Sequence, residues 1–496
     1  MLVAQDAISI PPEAIVSRPP ATQHKVQVTF PGRLIVIGFG SIGQGVLPLI
    51  LRHVGGLTPE RITIVTADDV GRKEAQEYGI RFMKQPLTRE NFRQVLEPLV
   101  GRGDFVMNVS VDVSSVALIK WCWVHGALYL DTSIEPWRGG YTGPPLSPSH
   151  RSIYVLREEV LALRKIKDKD PKPTAVLAHG ANPGLVQHFV KQALINLAGD
   201  FKINAGNPTT REDWAAVARS VGVKVIHIAE RDTQVPTVPK RPGEFLNTWS
   251  VDGFANECGQ PAELGWGSHE RSFPRDGRRH VFGSACAIYL MKPGALTRVR
   301  SWTPKAGHFH GFLITHDEAI SIADFYTVKD GSQLLYRPTV HYAYDPCVSA
   351  VLSVHELAAR NWHLQEQKRI LMDDIVPGGI DELGVLLAGH KKNAYWYGSQ
   401  LSVDDARKLA PYNNATSLQV TAACLSGMIW AIENPSRGLV EPDEMDFRRN
   451  LEICMPYLGE VFGEYTNWNP LHDRARLSPE EIDTSDPWQF KNVRVI

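Results

Sequence analysis

From residue 33 onward the hydrophobic positions follow two rhythms in turn. Leu34-Ile35-Val36-Ile37 is a short, unbroken apolar run rich in β-branched residues, the pattern of a strand covered on both faces. Val46, Leu47, Leu49 and Ile50 then return at helical spacing, and 61–65 (RITIV) reads as a second strand. Residues 88–99 predict a helix with Thr88 as its N-cap, 104–109 a strand, 113–123 a helix and 127–130 a strand. A helix over 153–167, a strand over 174–178 and a helix over 184–197 continue the series. Strands alternating with helices imply βαβ units and a parallel sheet. Between about 205 and 345 the rhythm shortens. Segments such as 223–228 (VKVIHI) and 309–315 predict a mixed or antiparallel sheet, and 345–362 and 415–432 predict long helices. The Gly/Pro-dense stretch 135–149 predicts a loop or lid. No internal repeat or low-complexity tract interrupts this order.

Composition narrows the class. The 496 residues suggest two or three domains, and 43% hydrophobic residues suffice for a large core. A formal net charge of −1 gives no electrostatic footprint for nucleic acid or an anionic membrane. Six cysteines without a C-x-x-C pair argue against a zinc ribbon and for reduced thiols, hence a cytoplasmic protein. The N-terminal segment is broken by prolines and lacks the pattern of a signal peptide. No apolar run is read as reaching the about 20 residues that span a bilayer.

The first strand runs into Gly38-Phe39-Gly40-Ser41-Ile42-Gly43, a G-x-G-x-x-G. In such a loop Gly38 permits the tight turn, Gly40 lets backbone approach a pyrophosphate, and Gly43 lets helix pack on strand. The amides at Ser41 and Ile42 open the helix that receives the phosphates. Its place between strand and helix, with a second strand after it, is the context a dinucleotide site requires. The second strand ends at Thr66-Ala67-Asp68-Asp69. Asp68 can accept from an adenosine ribose and would repel a 2′-phosphate, which favours NAD over NADP; Asp69 suits a helix cap better. Asn108 and Asp131-Thr132 end the next two strands, where either nicotinamide contacts or turn and cap roles are expected.

Downstream lie Gly180-Ala181-Asn182-Pro183-Gly184, Ala229-Glu230-Arg231-Asp232, Asn247-Thr248-Trp249-Ser250-Val251-Asp252-Gly253, Asn256-Glu257 and Pro377-Gly378-Gly379-Ile380-Asp381-Glu382. In this order after GFGSIGQGVLPL, the segments resemble the bacterial homospermidine synthases, over nearly the whole chain beyond the first 30 residues. That resemblance implies an α/β protein with an N-terminal Rossmann-type parallel sheet and a second α/β substrate-binding and dimerisation domain, related to saccharopine dehydrogenase. The expected division is an arm over 1–30, an NAD-binding domain over 31–180, the second domain over 181–400, and a helical segment over 401–496 packing back on the first. It implies NAD retained as a prosthetic group, putrescine and spermidine as substrates, homospermidine as product, and a homodimer. It places substrate carboxylates on Glu230 and Glu257, a tryptophan contact on Trp249 and an asparagine on Asn182. His316, Asp381 and, more weakly, Glu135 follow.

These residue types suit a diamine. Carboxylates pair with ammonium groups, and an indole face attracts a cation by about 0.5–2 kcal/mol. One amine must lose its proton before hydride can leave the adjacent carbon, so Glu230 or Glu257 would also serve as base. Taken alone, Glu230-Arg231-Asp232 reads equally as a solvated turn, Trp249 as core and Asn182 as a turn residue. His308 and His310 share a strand face without a Cys or acidic companion, so no metal site is expected. The competing readings are a saccharopine dehydrogenase-like amino-acid oxidoreductase, whose substrate carboxylates would call for basic residues, and a non-catalytic NAD-binding protein.

Overall fold

The computed structural model describes residues 24–141, 147–166 and 171–496. Most of the expected N-terminal arm and the centre of the expected 135–149 lid lie outside them.

Two sheets organise the fold. The first has seven parallel strands in the order Leu439–Val440, Ala175–Val176, Leu128–Asp131, Phe105–Asn108, Leu34–Ile37, Ile62–Thr66 and Arg81–Lys84. The Leu34–Ile37 strand is wholly buried, which is why it reads as an unbroken apolar run. Chain order reverses between it and Phe105–Asn108, leaving a crevice at the carboxyl ends of the two strands. The Ser41–His53 helix covers one face, and the Ser115–His125 helix, capped by the Ser114 side chain and ended by Gly126 at φ +71°, contributes to the apolar cluster on the other.

The second sheet has eleven strands and is largely antiparallel. At its centre the Val225–Asp232 strand lies parallel to Thr339–Asp345 and antiparallel to Ile380–His390. The Ala415–Glu433 helix packs against elements of both sheets and carries residues of a hydrophobic core that runs through both halves.

Several expected elements differ in detail. The 88–99 helix shortens to Phe92–Leu96, because Thr88 Oγ1 accepts from the amides of Glu90 and Asn91 in a turn that precedes the helix, whose N-cap is Asn91. The expected helix at 345–362 is Val348–Ala359. The segment 401–496 is not purely helical: Leu439–Val440 completes the first sheet and Glu460–Thr466 joins the second. Among the described residues one helix, Ala415–Glu433, does reach the length and apolarity of a membrane span, against the expectation. It is buried between the sheets, and its apolarity all round is that of a core helix.

Candidate active site

A cleft of about 920 Å³ runs from the glycine loop to the central strands of the second sheet. Gly38, Gly40, Ser41, Ile42, Asp68 and Thr132 line one end; Asn182, Glu230, Trp249, Glu257, His316 and Tyr342 line the other.

At the first end the loop has the shape a pyrophosphate needs. Gly38 sits at φ +85°, and a Cβ there would lie 2.8 Å from the Ser110 backbone. A Cβ on Gly40 would meet nothing within 4 Å, so the space in front of it is open. Gly43 instead faces inward, where a Cβ would come within 2.9 Å of the Gly38 carbonyl; it packs helix on strand rather than lining the cleft. The first turn of Ser41–His53 holds no acidic side chain, so its amides and positive dipole end remain open to an anion. Asp68 faces the cleft and accepts from the Val70 amide at 3.0 Å. Asp69 does not cap the next helix, whose N-cap is Gly71; it pairs with Arg72 and Lys84.

Asn108 and Asp131 are spent on internal bonds and do not line the cleft. Asn108 accepts from the Ser110 hydroxyl at 2.6 Å and donates to the Val113 carbonyl, shaping the loop that passes Gly38. Asp131 accepts from the Ala178 amide at 2.6 Å and the Tyr129 hydroxyl at 2.8 Å, tying two strand ends together. Burial lifts its carboxyl to about 6 despite these donors.

The other end is a set of buried acids among aromatic rings. Glu230 lies in the Val225–Asp232 strand and is 3% exposed, so the solvated-turn reading fails. One of its oxygens accepts from Asn182 Nδ2 at 2.9 Å and from the Tyr342 hydroxyl. Burial raises Glu230 to about 7, against the pull of Tyr342, His316 and Asn182. Asp232, two residues on and facing the same side, is raised by burial to about 6 while accepting from Gln234 and Thr248. Asp381 stands opposite Asp232 on the neighbouring strand, outside the cleft lining. Burial first, then Glu230 and Asp232, hold it well above the carboxylate range.

Trp249 is half-buried in the cleft wall, with its indole Nε1 donating to the Tyr344 hydroxyl at 3.0 Å. Across from it His316 Nε2 lies 3.1 Å from Glu257, and Nδ1 lies 3.2 Å from Glu318. Burial disfavours the imidazolium, but Glu318 and Glu257 outweigh it and hold the ring well above the usual histidine range. Burial raises Glu257, against the attraction of His316. Glu135 accepts from the Asp112 amide and the Ser133 hydroxyl, and burial lifts it to about 8.

Asn182 is placed by a turn that only glycine can close. Gly184 sits at φ +126°, and a Cβ there would fall 2.1 Å from the Gly180 carbonyl oxygen. Tyr342, Tyr344, Asp232 and Glu318 were missed by sequence reasoning. Strand alternation was the available signal: Glu230 and Asp232, and Tyr342 and Tyr344, are i, i+2 pairs. His308 and His310 stand exposed on the Gly307–Phe312 strand, away from the cleft.

Comparison with known proteins gives these features a context. Residues 34–176 match the saccharopine dehydrogenase NADP binding domain and residues 180–465 the saccharopine dehydrogenase C-terminal domain. A homospermidine synthase of Blastochloris viridis is 54% identical over 94% of this chain and 97% of its own length. One from Mesorhizobium japonicum is 51% identical over 94% of this chain and 96% of its own. The structure of a homospermidine synthase from Legionella pneumophila in complex with NAD superposes with a TM-score of 0.88, at 49% identity, over 95% of this chain and 99% of that one.

Proposed function

The chain belongs to the homospermidine synthase family, and from that premise we propose how its cleft carries out an NAD-dependent transfer of an aminobutyl group between diamines. The observation that carries the reading is that the buried acids Glu230, Glu257 and Glu135 line one cleft together with Trp249, with Asp232 buried beside Glu230 on the same strand. It suits a doubly charged diamine rather than an amino acid.

NAD fits the loop through Gly38, Gly40 and the amides at Ser41 and Ile42, with Thr132 beyond them. The matched family model is described by NADP, the Legionella enzyme by NAD. Asp68, at the cleft wall, supports NAD over NADP, because a carboxylate there opposes a 2′-phosphate. When bound, NAD supplies an acceptor for hydride from the carbon beside nitrogen and later returns it.

Glu230 takes the proton that frees the reacting amine. Its raised pKa makes it a stronger base than an ordinary carboxylate, while Asn182 and Tyr342 fix its orientation. The Trp249 face, steadied by the bond to Tyr344, holds the cationic carbon–nitrogen unit. A second, neutral amine adds to the imine carbon, the protonated His316 gives its proton to the first nitrogen, which leaves as ammonia or 1,3-diaminopropane, and the added nitrogen returns a proton to His316 as the new imine forms. Glu257 and Glu135 receive the far ammonium groups, and Asp381, kept protonated behind Glu230 by burial and by Glu230 and Asp232, stays a neutral neighbour of the base. Hydride leaves and returns, so the cycle has no net redox change.

We assign the cofactor role to 31–180 and the substrate and dimer-forming role to 181–400. Six buried, free cysteines and, among the described residues, one span-like helix that lies in the core accord with the cytoplasmic location we assign, and the homodimer is what the family resemblance implies. Incubation with putrescine and NAD tests the reading: homospermidine and ammonia should form in equal amounts without accumulation of reduced cofactor. Reduced cofactor building up without homospermidine would overturn it.

A further inference from the structure

Behind the cleft, outside the residues assigned to the reaction, a single buried carboxylate ties together three parts of the fold. Glu263, on the Pro261–Gly265 strand, is fully buried. Its Oε2 accepts from the Thr315 hydroxyl at 2.7 Å and from the Ile153 amide at 2.9 Å, and its Oε1 lies 3.0 Å from His280 Nε2. Thr315 is the residue before His316. Ile153 opens the helix Ile153–Leu161, into which the Gly/Pro-rich segment runs, and both Thr315 and Ile153 line the cleft. His280 stacks on Tyr154 of that helix at 3.9 Å and 8°, and Tyr154 in turn accepts from the Ala285 amide at 2.8 Å.

The chemistry of this arrangement is economical. A carboxylate facing the first amide of a helix satisfies a donor that the helix leaves open and matches its positive end. The same oxygen takes the Thr315 hydroxyl, so the backbone ahead of His316 and the base of the helix share one anchor. His316 has no hydrogen bond to Glu263; its ring is held by Glu257 and Glu318. Those two contacts depend on where the backbone at 315–316 lies.

We propose that Glu263 and Thr315 form a positioning pair, which sets His316 against Glu257 and locks the helix at Ile153 to the same point. The proposal rests on the reading of His316 as the proton donor. Thr315→Val removes the hydroxyl with almost no change of shape, and Thr315→Ser keeps it. The groups facing His316 are Glu257, Glu318, Tyr342 and Glu230, so a displaced ring loses its carboxylate partners and its pKa falls.

The experiment compares kcat, KM and pH profile for homospermidine formation in Thr315→Val, Thr315→Ser and His316→Gln, with melting temperature on each preparation. Thr315→Val should lower kcat about tenfold at unchanged NAD affinity and move the alkaline limb of the profile to lower pH. Thr315→Ser should restore both. A folded Thr315→Val enzyme with wild-type kcat and profile, beside an inactive His316→Gln, overturns the positioning role alone. A fully active His316→Gln overturns the reading of His316 and the proposal with it.

Discussion

Glu230 shows what burial does to a single side chain. Its folded pKa of about 7 lies above the ordinary carboxylate value, so the group stays protonated up to about that pH, well past the range in which an exposed carboxyl ionises. The stability this gives is complete below the unfolded pKa and is lost as pH rises through about 7. Asp232, raised to about 6, adds a loss of the same sign. A diammonium ligand supplies the missing positive charge, so putrescine should raise the melting temperature more at pH above 7 than below it. Activity runs the other way: kcat/KM should climb with pH as Glu230 loses its proton. Glu230→Gln should remove that limb and lower kcat/KM by about 10²-fold or more. An unchanged acid limb in the variant would move the base elsewhere. The raised His316 adds a stability loss of the same sign at higher pH, and in activity it gives the opposite, alkaline limb as its charge is lost.

At the scale of the element, the turn between Gly180 and Gly184 carries more than its length suggests. Gly180 donates its amide to the Pro183 carbonyl at 2.7 Å, and the Leu185–Phe201 helix starts where the turn ends. Gly184→Ala would drive a methyl into the Gly180 backbone and force a residue with a Cβ to φ +126°. A loss of about 2 kcal/mol or more in denaturant unfolding is expected, with activity lost as Asn182 leaves Glu230. Wild-type stability would show that the turn has room to give. The Leu34–Ile37 strand and the glycine loop were legible because neighbours in the sequence determine them: apolar cover on both faces, then a turn that needs glycine. The 225–232 strand was only half legible. Its last residues, Glu-Arg-Asp, look like a turn, and what makes them strand is pairing with segments at 339–345 and 380–390. Tyr342 stayed hidden for the same reason, since its contact with Glu230 joins residues 112 positions apart. That Asp68 faces the cleft was legible from its place at a strand end, whereas the internal work of Asn108 and Asp131 depends on loops that meet only in the folded chain.

For the whole molecule, the Ala415–Glu433 helix is the shared wall. Its N-cap Asn414 donates to the carbonyls of Thr248 and Leu371 at 2.7 and 2.8 Å, and Thr416 reaches Asp232, while the body of the helix packs on the Ser41–His53 helix and on strands of both sheets. One hydrophobic core therefore includes residues from Leu34 to Leu458. The two halves should unfold in a single transition, seen at the same midpoint by circular dichroism and by tryptophan fluorescence. Two separated midpoints would mean that the halves fold independently. The outermost strand of the parallel sheet, Leu439–Val440, pairs with Ala175–Val176. A growing chain must therefore carry the first six strands past the ribosome exit with the edge at Ala175–Val176 unpaired and without the cover that the Ala415–Glu433 helix gives two of the strands. At about 5–20 residues per second that interval is roughly ten to fifty seconds. During it the nascent protein exposes an adhesive edge, so its yield in the cell depends on chaperones and on the pace of translation as well as on the stability of the finished fold.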